Sequence, residues 1–240
     1  MLPHSLSIII PVFNEEENIA KTIKEVYKFA ENHDLVFEVI VVDDGSVDST
    51  GRILETDFRE LPNLHIVTHK NNQGFGAAVK SGIGLSKNDY VFIFDADGQY
   101  KIDDLQSFFP FIVKGEKIMI GARVRRKDAK IRQVLAFIYR WTVRIFFRIK
   151  CKDINSSFLV IDRPLLNSIY VSANDVIYCL ELILRLEKNG HYIIELPINF
   201  YQRERGSSKV CRLNKVFSAS HTFLYLFYRE ITGINARKGS

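Results

Sequence analysis

The chain has 240 residues, 47% of them hydrophobic and 25% charged, with a formal net charge of +5. That composition supports a sizeable core and excludes a disordered chain. The mild basic excess suits a phosphate-bearing ligand or an anionic membrane surface and is too weak to argue for nucleic acid. Cys151, Cys179 and Cys211 are widely spaced, with no Cys-x-x-Cys pair, and read as reduced thiols of a cytoplasmic protein.

The run Leu6–Val12 is too short for the apolar region of a secretory leader. No stretch of about 18 apolar residues offers a membrane-spanning helix. Ser7–Val12 reads as the first strand, apolar on both faces and so interior to a parallel sheet. Pro11 is expected to end its ladder. Asn14 is expected to cap the next helix, with Glu17 as its capping-box partner. Ile19, Ile23, Val26, Tyr27 and Ala30 give that helix one apolar face. Phe37–Val42 is the second strand and ends in Asp43–Asp44–Gly45–Ser46. A carboxylate there can take hydrogen bonds from a base or ribose, or cap a helix. Leu64–Val67 is the third strand. Asn72–Ala78 follows with small residues that let backbone approach a ligand at a helix N-terminus, although its spacing is not the dinucleotide fingerprint.

Val91–Phe94 is the fourth strand, a buried apolar run that stops at Asp95–Ala96–Asp97–Gly98–Gln99. In an open α/β sheet, ligands sit at the carboxyl ends of strands. Two carboxylates that close repel unless a cation lies near them, and hard oxygen ligands of this kind suit Mg²⁺ or Mn²⁺. The competing reading is a surface turn. A fifth strand, Ile118–Gly121, runs to Arg123. To this point strands and helices alternate, the pattern of a doubly wound parallel sheet.

The second half reads differently. Lys130–Lys150 is one long helical stretch with Arg140, Arg144 and Arg148 at four-residue spacing, beside Trp141, Phe146 and Phe147. It fits a membrane-interface helix or a buried helix with snorkelling arginines. Ser156–Ile161 reads as a strand, Asp175–Lys188 as a helix and Ile193–Pro197 as a further strand. Arg203–Lys209 is a polar, basic, flexible loop. Phe217, Leu224, Phe227, Tyr228 and Ile231 line one side of a C-terminal helix. The expected division is residues 1–210 as one domain and 211–240 as an amphipathic, membrane-associated extension.

Five motifs occur in order: Ile10–Pro11–Val12–Phe13–Asn14–Glu15, Val42–Asp43–Asp44–Gly45–Ser46–Val47–Asp48, Asn72–Gln73–Gly74–Phe75–Gly76, Asp95–Ala96–Asp97–Gly98–Gln99, and Arg203–x–x–Gly206–x–Ser208–Lys209. Together, over roughly residues 5–210, they resemble the family 2 glycosyltransferases, in particular the dolichyl- and polyprenyl-phosphate sugar transferases. The resemblance implies a GT-A fold, a Rossmann-like and mostly parallel sheet flanked by helices, with C-terminal amphipathic helices. It places Pro11, Phe13, Glu15 and Asp44 around the nucleotide base and ribose, with Gly74 and Ala96 also against the donor. Phe13 stands where the family often has Tyr. Asp95, Asp97 and Gln99 would hold Mg²⁺ or Mn²⁺ and the diphosphate. Arg123, Arg132, Arg203 and Lys209 would meet phosphates, with Asp97, Arg203 and Lys209 catalytic.

The implied reaction is inverting transfer from a nucleotide sugar, GDP-mannose or a UDP-sugar, to a polyprenyl or dolichyl phosphate. The alternative is a family 2 enzyme acting on a sugar hydroxyl. It would need a general base, for which Asp175 is the candidate. The Gln-x-x-Arg-Trp motif of processive synthases is absent. Many relatives carry transmembrane helices after the region matching Lys209 and this sequence shows none, so the expectation is peripheral contact at the cytoplasmic face, a partner protein supplying the anchor, or a chain cut short of its own anchor.

Overall fold

A computed structural model describes residues 4–124, 143–145, 147–154 and 156–203. The stretch 130–150 lies mostly outside these residues. So do Arg132, the loop beyond Arg203 with Lys209, the C-terminal helix and the expected boundary at residue 210.

The first half builds as its pattern predicts. Strands β1 (Leu6–Val12), β2 (Phe37–Asp43), β3 (Leu64–Thr68) and β4 (Tyr90–Ile93) alternate with helices α1 (Ile19–Asn32), α2 (Thr50–Asp57) and α3 (Phe75–Leu85). A 3₁₀ turn (Ile102–Phe108) and α4 (Phe109–Val113) lead to β5 (Ile118–Arg123). Strand β6 (Leu159–Asp162), α5 (Arg163–Ser168), α6 (Tyr178–Lys188) and β7 (Ile194–Ile198) complete the described elements. The seven strands form one sheet in the order β3-β2-β1-β4-β6-β5-β7.

All pairings are parallel except those of β6, which runs antiparallel to both β4 and β5. Local periodicity carries no information on strand direction, so this reversal is a finding of the structure.

Alternation along the strands feeds two cores, one on each face of the sheet. Leu6, Ile8, Ile10 and Val12 of β1 join α1 and the 3₁₀ turn. Ile9 joins α3, α6 and alternate residues of β2 and β4 on the other face. β1 is buried over nearly its whole length, as an interior strand must be. Pro11 ends only one of its ladders. Pairing with β2 continues through Pro11 to Val12, whereas pairing with β4 stops at Ile9. The Ile9 carbonyl bonds toward β4 and the Val12 carbonyl toward β2. By that alternation Pro11, which lacks an N–H, faces the β4 side.

Candidate active site

The carboxyl ends of β1, β2 and β4 form the rim where the sequence places its acids. The turn after β1 is tied to the turn after β2. Asn14 N donates to Ser46 Oγ at 2.8 Å, Asn14 Oδ1 accepts from Val47 N at 2.7 Å, and Glu15 N donates to Thr50 Oγ1 at 2.8 Å. The expected capping box therefore does not form. Asn14 sits at φ +53° with its side chain spent on the neighbouring loop, and α1 begins only at Ile19, with Asn18 as its cap residue. Pro11 and Phe13 are partly exposed on this rim, while Glu15 is buried and accepts from Asn18 Nδ2 at 2.8 Å.

Asp44 holds a loop together. Its Oδ1 accepts from His69 Nδ1 at 2.7 Å and Gln73 N at 2.8 Å; its Oδ2 accepts from Asn72 Nδ2 and Gly74 N, both at 2.8 Å. Four donors match the lone-pair capacity of a carboxylate. Asp44 thus shapes the segment 69–74 that opens α3. Gly74 has φ +103° and packs against the Asn174 carbonyl, where a Cβ would collide.

The turn after β4 carries the acidic pair. Burial and the adjacent Asp97 push the Asp95 carboxyl up to about 7, the Ser157 hydroxyl and the Arg123 and Arg203 charges opposing. Gly98, at φ +73°, closes the turn, and Gln99 N donates to Asp97 Oδ1 at 3.0 Å. Ala96 is buried behind it, its carbonyl accepting from Thr22 Oγ1. The segment after β7 is stitched across this turn. Tyr201 N donates to Gln99 O at 2.9 Å and Gln99 Nε2 to Tyr201 O at 3.2 Å. This brings in Arg203, whose Nη1 lies 3.2 Å from Glu15 Oε1 and whose Nη2 lies 3.0 Å from Asp97 Oδ2.

Arg123, at the end of β5, is committed to a bidentate pair with Asp153, Nε to Oδ2 at 2.7 Å and Nη2 to Oδ1 at 2.5 Å, with Phe200 5.1 Å away under the guanidinium. Glu15, Asp95, Asp97, Gln99 and Arg203 therefore gather at one rim, with Asp44 and Gly74 on its β2–β3 side and Arg123 beside Asp153. Sequence reasoning missed Ser157 and Asp153, which lie between elements without a recognisable motif.

Asp95, Asp97 and the Gln99 amide oxygen are hard donors of the kind Mg²⁺ and Mn²⁺ take. Among the described residues no cluster of three His, Cys, Asp or Glu side chains forms. Two carboxylates and an amide leave coordination positions for phosphate oxygens and water, the usual arrangement for Mg²⁺. The desolvated Asp95 carboxyl beside the partly exposed Asp97 fits a divalent cation, since positive charge between two adjacent carboxylates relieves their repulsion.

The family model for glycosyl transferase family 2 matches residues 7–166. The chain belongs to this family. This family 2 glycosyltransferase is 30% identical over 220 residues to polyprenol monophosphomannose synthase of Mycolicibacterium smegmatis, covering 86% of this chain and 81% of the relative. It is 27% identical over 249 residues to dolichyl-phosphate beta-glucosyltransferase of Dictyostelium discoideum, covering 95% and 76%. Among solved structures, it superposes on glucosyl-3-phosphoglycerate synthase of Mycobacterium tuberculosis, in complex with Mn²⁺, uridine-diphosphate and glucosyl-3-phosphoglycerate, with a TM-score of 0.72 at 18% identity, covering 97% and 81%. For mannosyl-3-phosphoglycerate synthase of Rubrobacter xylanophilus the TM-score is 0.68 at 17% identity, covering 100% and 79%. The fold is that of the GT-A glycosyltransferases. Among the described residues, no helix of this glycosyltransferase is long and apolar enough to cross a membrane.

Proposed function

We propose that this glycosyltransferase moves a sugar from a nucleotide-sugar donor onto a polyprenyl or dolichyl phosphate, with inversion and with Mg²⁺ or Mn²⁺ at Asp95, Asp97 and Gln99. The observation that carries the reading is the meeting of Arg203 with Glu15 and Asp97 at the rim of the sheet. It puts a cation from the end of the described chain among the acids of β1 and β4. The relatives named for lipid-phosphate acceptors support the acceptor class, and the Mn²⁺ and uridine-diphosphate bound in the similar glucosyl-3-phosphoglycerate synthase support the cofactor and donor class.

In this reading the base and ribose lie by Pro11, Phe13 and Glu15, against the loop that Asp44 holds at Gly74. An acceptor phosphate oxygen attacks the anomeric carbon as the bond from that carbon to the diphosphate breaks, and the nucleoside diphosphate leaves with the electron pair. The bound divalent ion supplies charge stabilisation for that leaving group. Arg203 adds a preorganised cation on the same side, joined by Lys209 and Arg132 from beyond the described residues. A phosphate acceptor is already anionic, so no protein base is required. Asp175 has another occupation, its Oδ1 accepting from Ile177 N at 2.9 Å where α6 begins. Work on a lipid phosphate implies peripheral contact with a membrane, at its cytoplasmic face, directly or through an anchoring partner.

The test is a screen of GDP-mannose, UDP-glucose and related donors against a polyprenyl phosphate, with Mn²⁺ and with EDTA. Lipid-linked sugar formed only with metal, lost in Asp97→Ala and Lys209→Ala and retained in Asp175→Asn, is the expected result. Transfer to a free sugar hydroxyl that depends on Asp175 would overturn the acceptor reading.

A further inference from the structure

Ser157 is 6% exposed, and its hydroxyl donates to Asp95 Oδ2. It reaches the acidic rim because of the one reversed strand. β6 is antiparallel to β4, so the residues entering β6 arrive at the edge of the sheet where β4 leaves. Leu159 pairs with Ile93. Ser157, two residues before Leu159, consequently falls opposite Asp95, two residues after Ile93.

The backbone that carries this hydroxyl is fixed. Gly121 N donates to Phe158 O at 2.8 Å. The Phe158 ring is fully buried, with its centroid 4.7 Å from that of Phe92 in an edge-on contact. Ser156, on the other side, is also fully buried. Ser157 lies just ahead of β6, and the buried Phe158 beside it, bonded to Gly121, anchors the backbone that presents the hydroxyl.

We propose that Ser157 is a positioning residue for Asp95, holding one carboxylate oxygen so that the other faces a divalent cation and the donor diphosphate. The inference rests on the metal-dependent reading above. Rotation of an aspartate carboxylate about its last bond is broad and nearly two-fold. Beside Asp97 that freedom would let Asp95 turn away from its neighbour, and a cation would have to turn it back. A single donor on Oδ2 settles the plane in advance and leaves the remaining lone pairs for coordination. Hydrogen-bond partners of ligating carboxylates commonly change metal affinity 10- to 100-fold when removed.

The experiment titrates Mn²⁺ alone into the full chain and follows free Mn²⁺ by electron paramagnetic resonance. Ser157→Ala should weaken Mn²⁺ binding by about tenfold, whereas Ser157→Thr, which keeps the hydroxyl, should restore it. Ser157→Gly removes the same hydroxyl and decides the matter where alanine disturbs folding, with thermal melting as the check. Unchanged or tighter binding in both hydroxyl-free variants, with the wild type binding Mn²⁺, overturns the positioning role alone. No Mn²⁺ binding by the wild type overturns the metal reading and this inference with it. Weaker Mn²⁺ binding in both hydroxyl-free variants, restored by Ser157→Thr, upholds the role of Ser157 even where no lipid-linked product forms, an absence that counts against the acceptor reading alone.

Discussion

Replacing Asp44 with Asn tests whether this carboxylate holds the rim. The substitution conserves volume, so no cavity term enters. Asp44 is 3% exposed and accepts from His69 and Gln73 on one oxygen and from Asn72 and Gly74 on the other. An amide keeps one oxygen. Whichever way it turns, two donors then face an NH₂ group, and at least one of them is a backbone N–H that cannot rotate away. A hydrogen bond to a charged group contributes about 1.5–3 kcal/mol, so losing two amounts to roughly 3–6 kcal/mol before relaxation. Water entry and loop movement lower this, and a loss of about 3 kcal/mol is expected. Against a typical domain stability of about 5–15 kcal/mol, the variant still folds and the effect is measurable. Urea unfolding gives the global value, and hydrogen exchange at the Gln73 and Gly74 amides localises it. A loss below about 1 kcal/mol with unchanged exchange at both amides would refute the assignment.

Four further outcomes are expected. Arg203→Ala removes the cation that bridges Glu15 and Asp97, so Mn²⁺ should bind more tightly while sugar transfer falls by about 100-fold; a parallel loss of both would contradict this. Gly45 has φ +71°, and a Cβ there would lie 2.6 Å from Asn71 C, so Gly45→Ala should cost at least about 2 kcal/mol in urea unfolding. Glu181 is fully buried; burial alone would raise its pKa, but hydrogen bonds from Ala173 N, Arg185 and Ser172 N outweigh that and hold it below the ordinary 4.5. Its ionic contribution is complete above that value and lost as pH falls through the lower folded one, so the stability gap between wild type and Glu181→Gln should narrow below about pH 4, and a gap constant to pH 3 refutes the assignment. Burial pushes the Cys179 thiol up to about 12 and raises Cys151 as well, so iodoacetamide at pH 8 should label neither until the chain is unfolded.

The parallel half of the sheet was legible because its information is local. Each strand is a short, mostly apolar run, and β2 and β4 end abruptly in acidic and small residues. Asp44, Asp95 and Asp97 could be placed at the rim because they sit one, two and four residues past a strand end. Asn14 shows where local reasoning fails. Asn-x-x-Glu matches a capping box, yet the Asn14 side chain bonds across the rim to Val47 N, some thirty residues away, and the helix starts later. A short polar side chain has several local and non-local options of similar energy, and packing selects among them.

The partners of the acids were illegible for a related reason. Ser157 and Asp153 reach Asp95 and Arg123 across 62 and 30 residues. Neither belongs to a motif, and Ser-Ser ahead of an apolar run reads as an ordinary strand entry. Their placement follows from the reversal of β6, and no residue within Leu159–Asp162 announces that reversal. In a wholly parallel sheet, ligand-facing residues come from strand exits. One reversed strand adds the residues of a strand entry to the same rim, so a hydroxyl and a carboxylate can be set among the acids without lengthening any loop of the parallel half. The acids at the exits are what the sequence pattern reveals. The hydrogen bond from Ser157 to Asp95 and the pair of Asp153 with Arg123 come from the entry to β6, and only the topology reveals those.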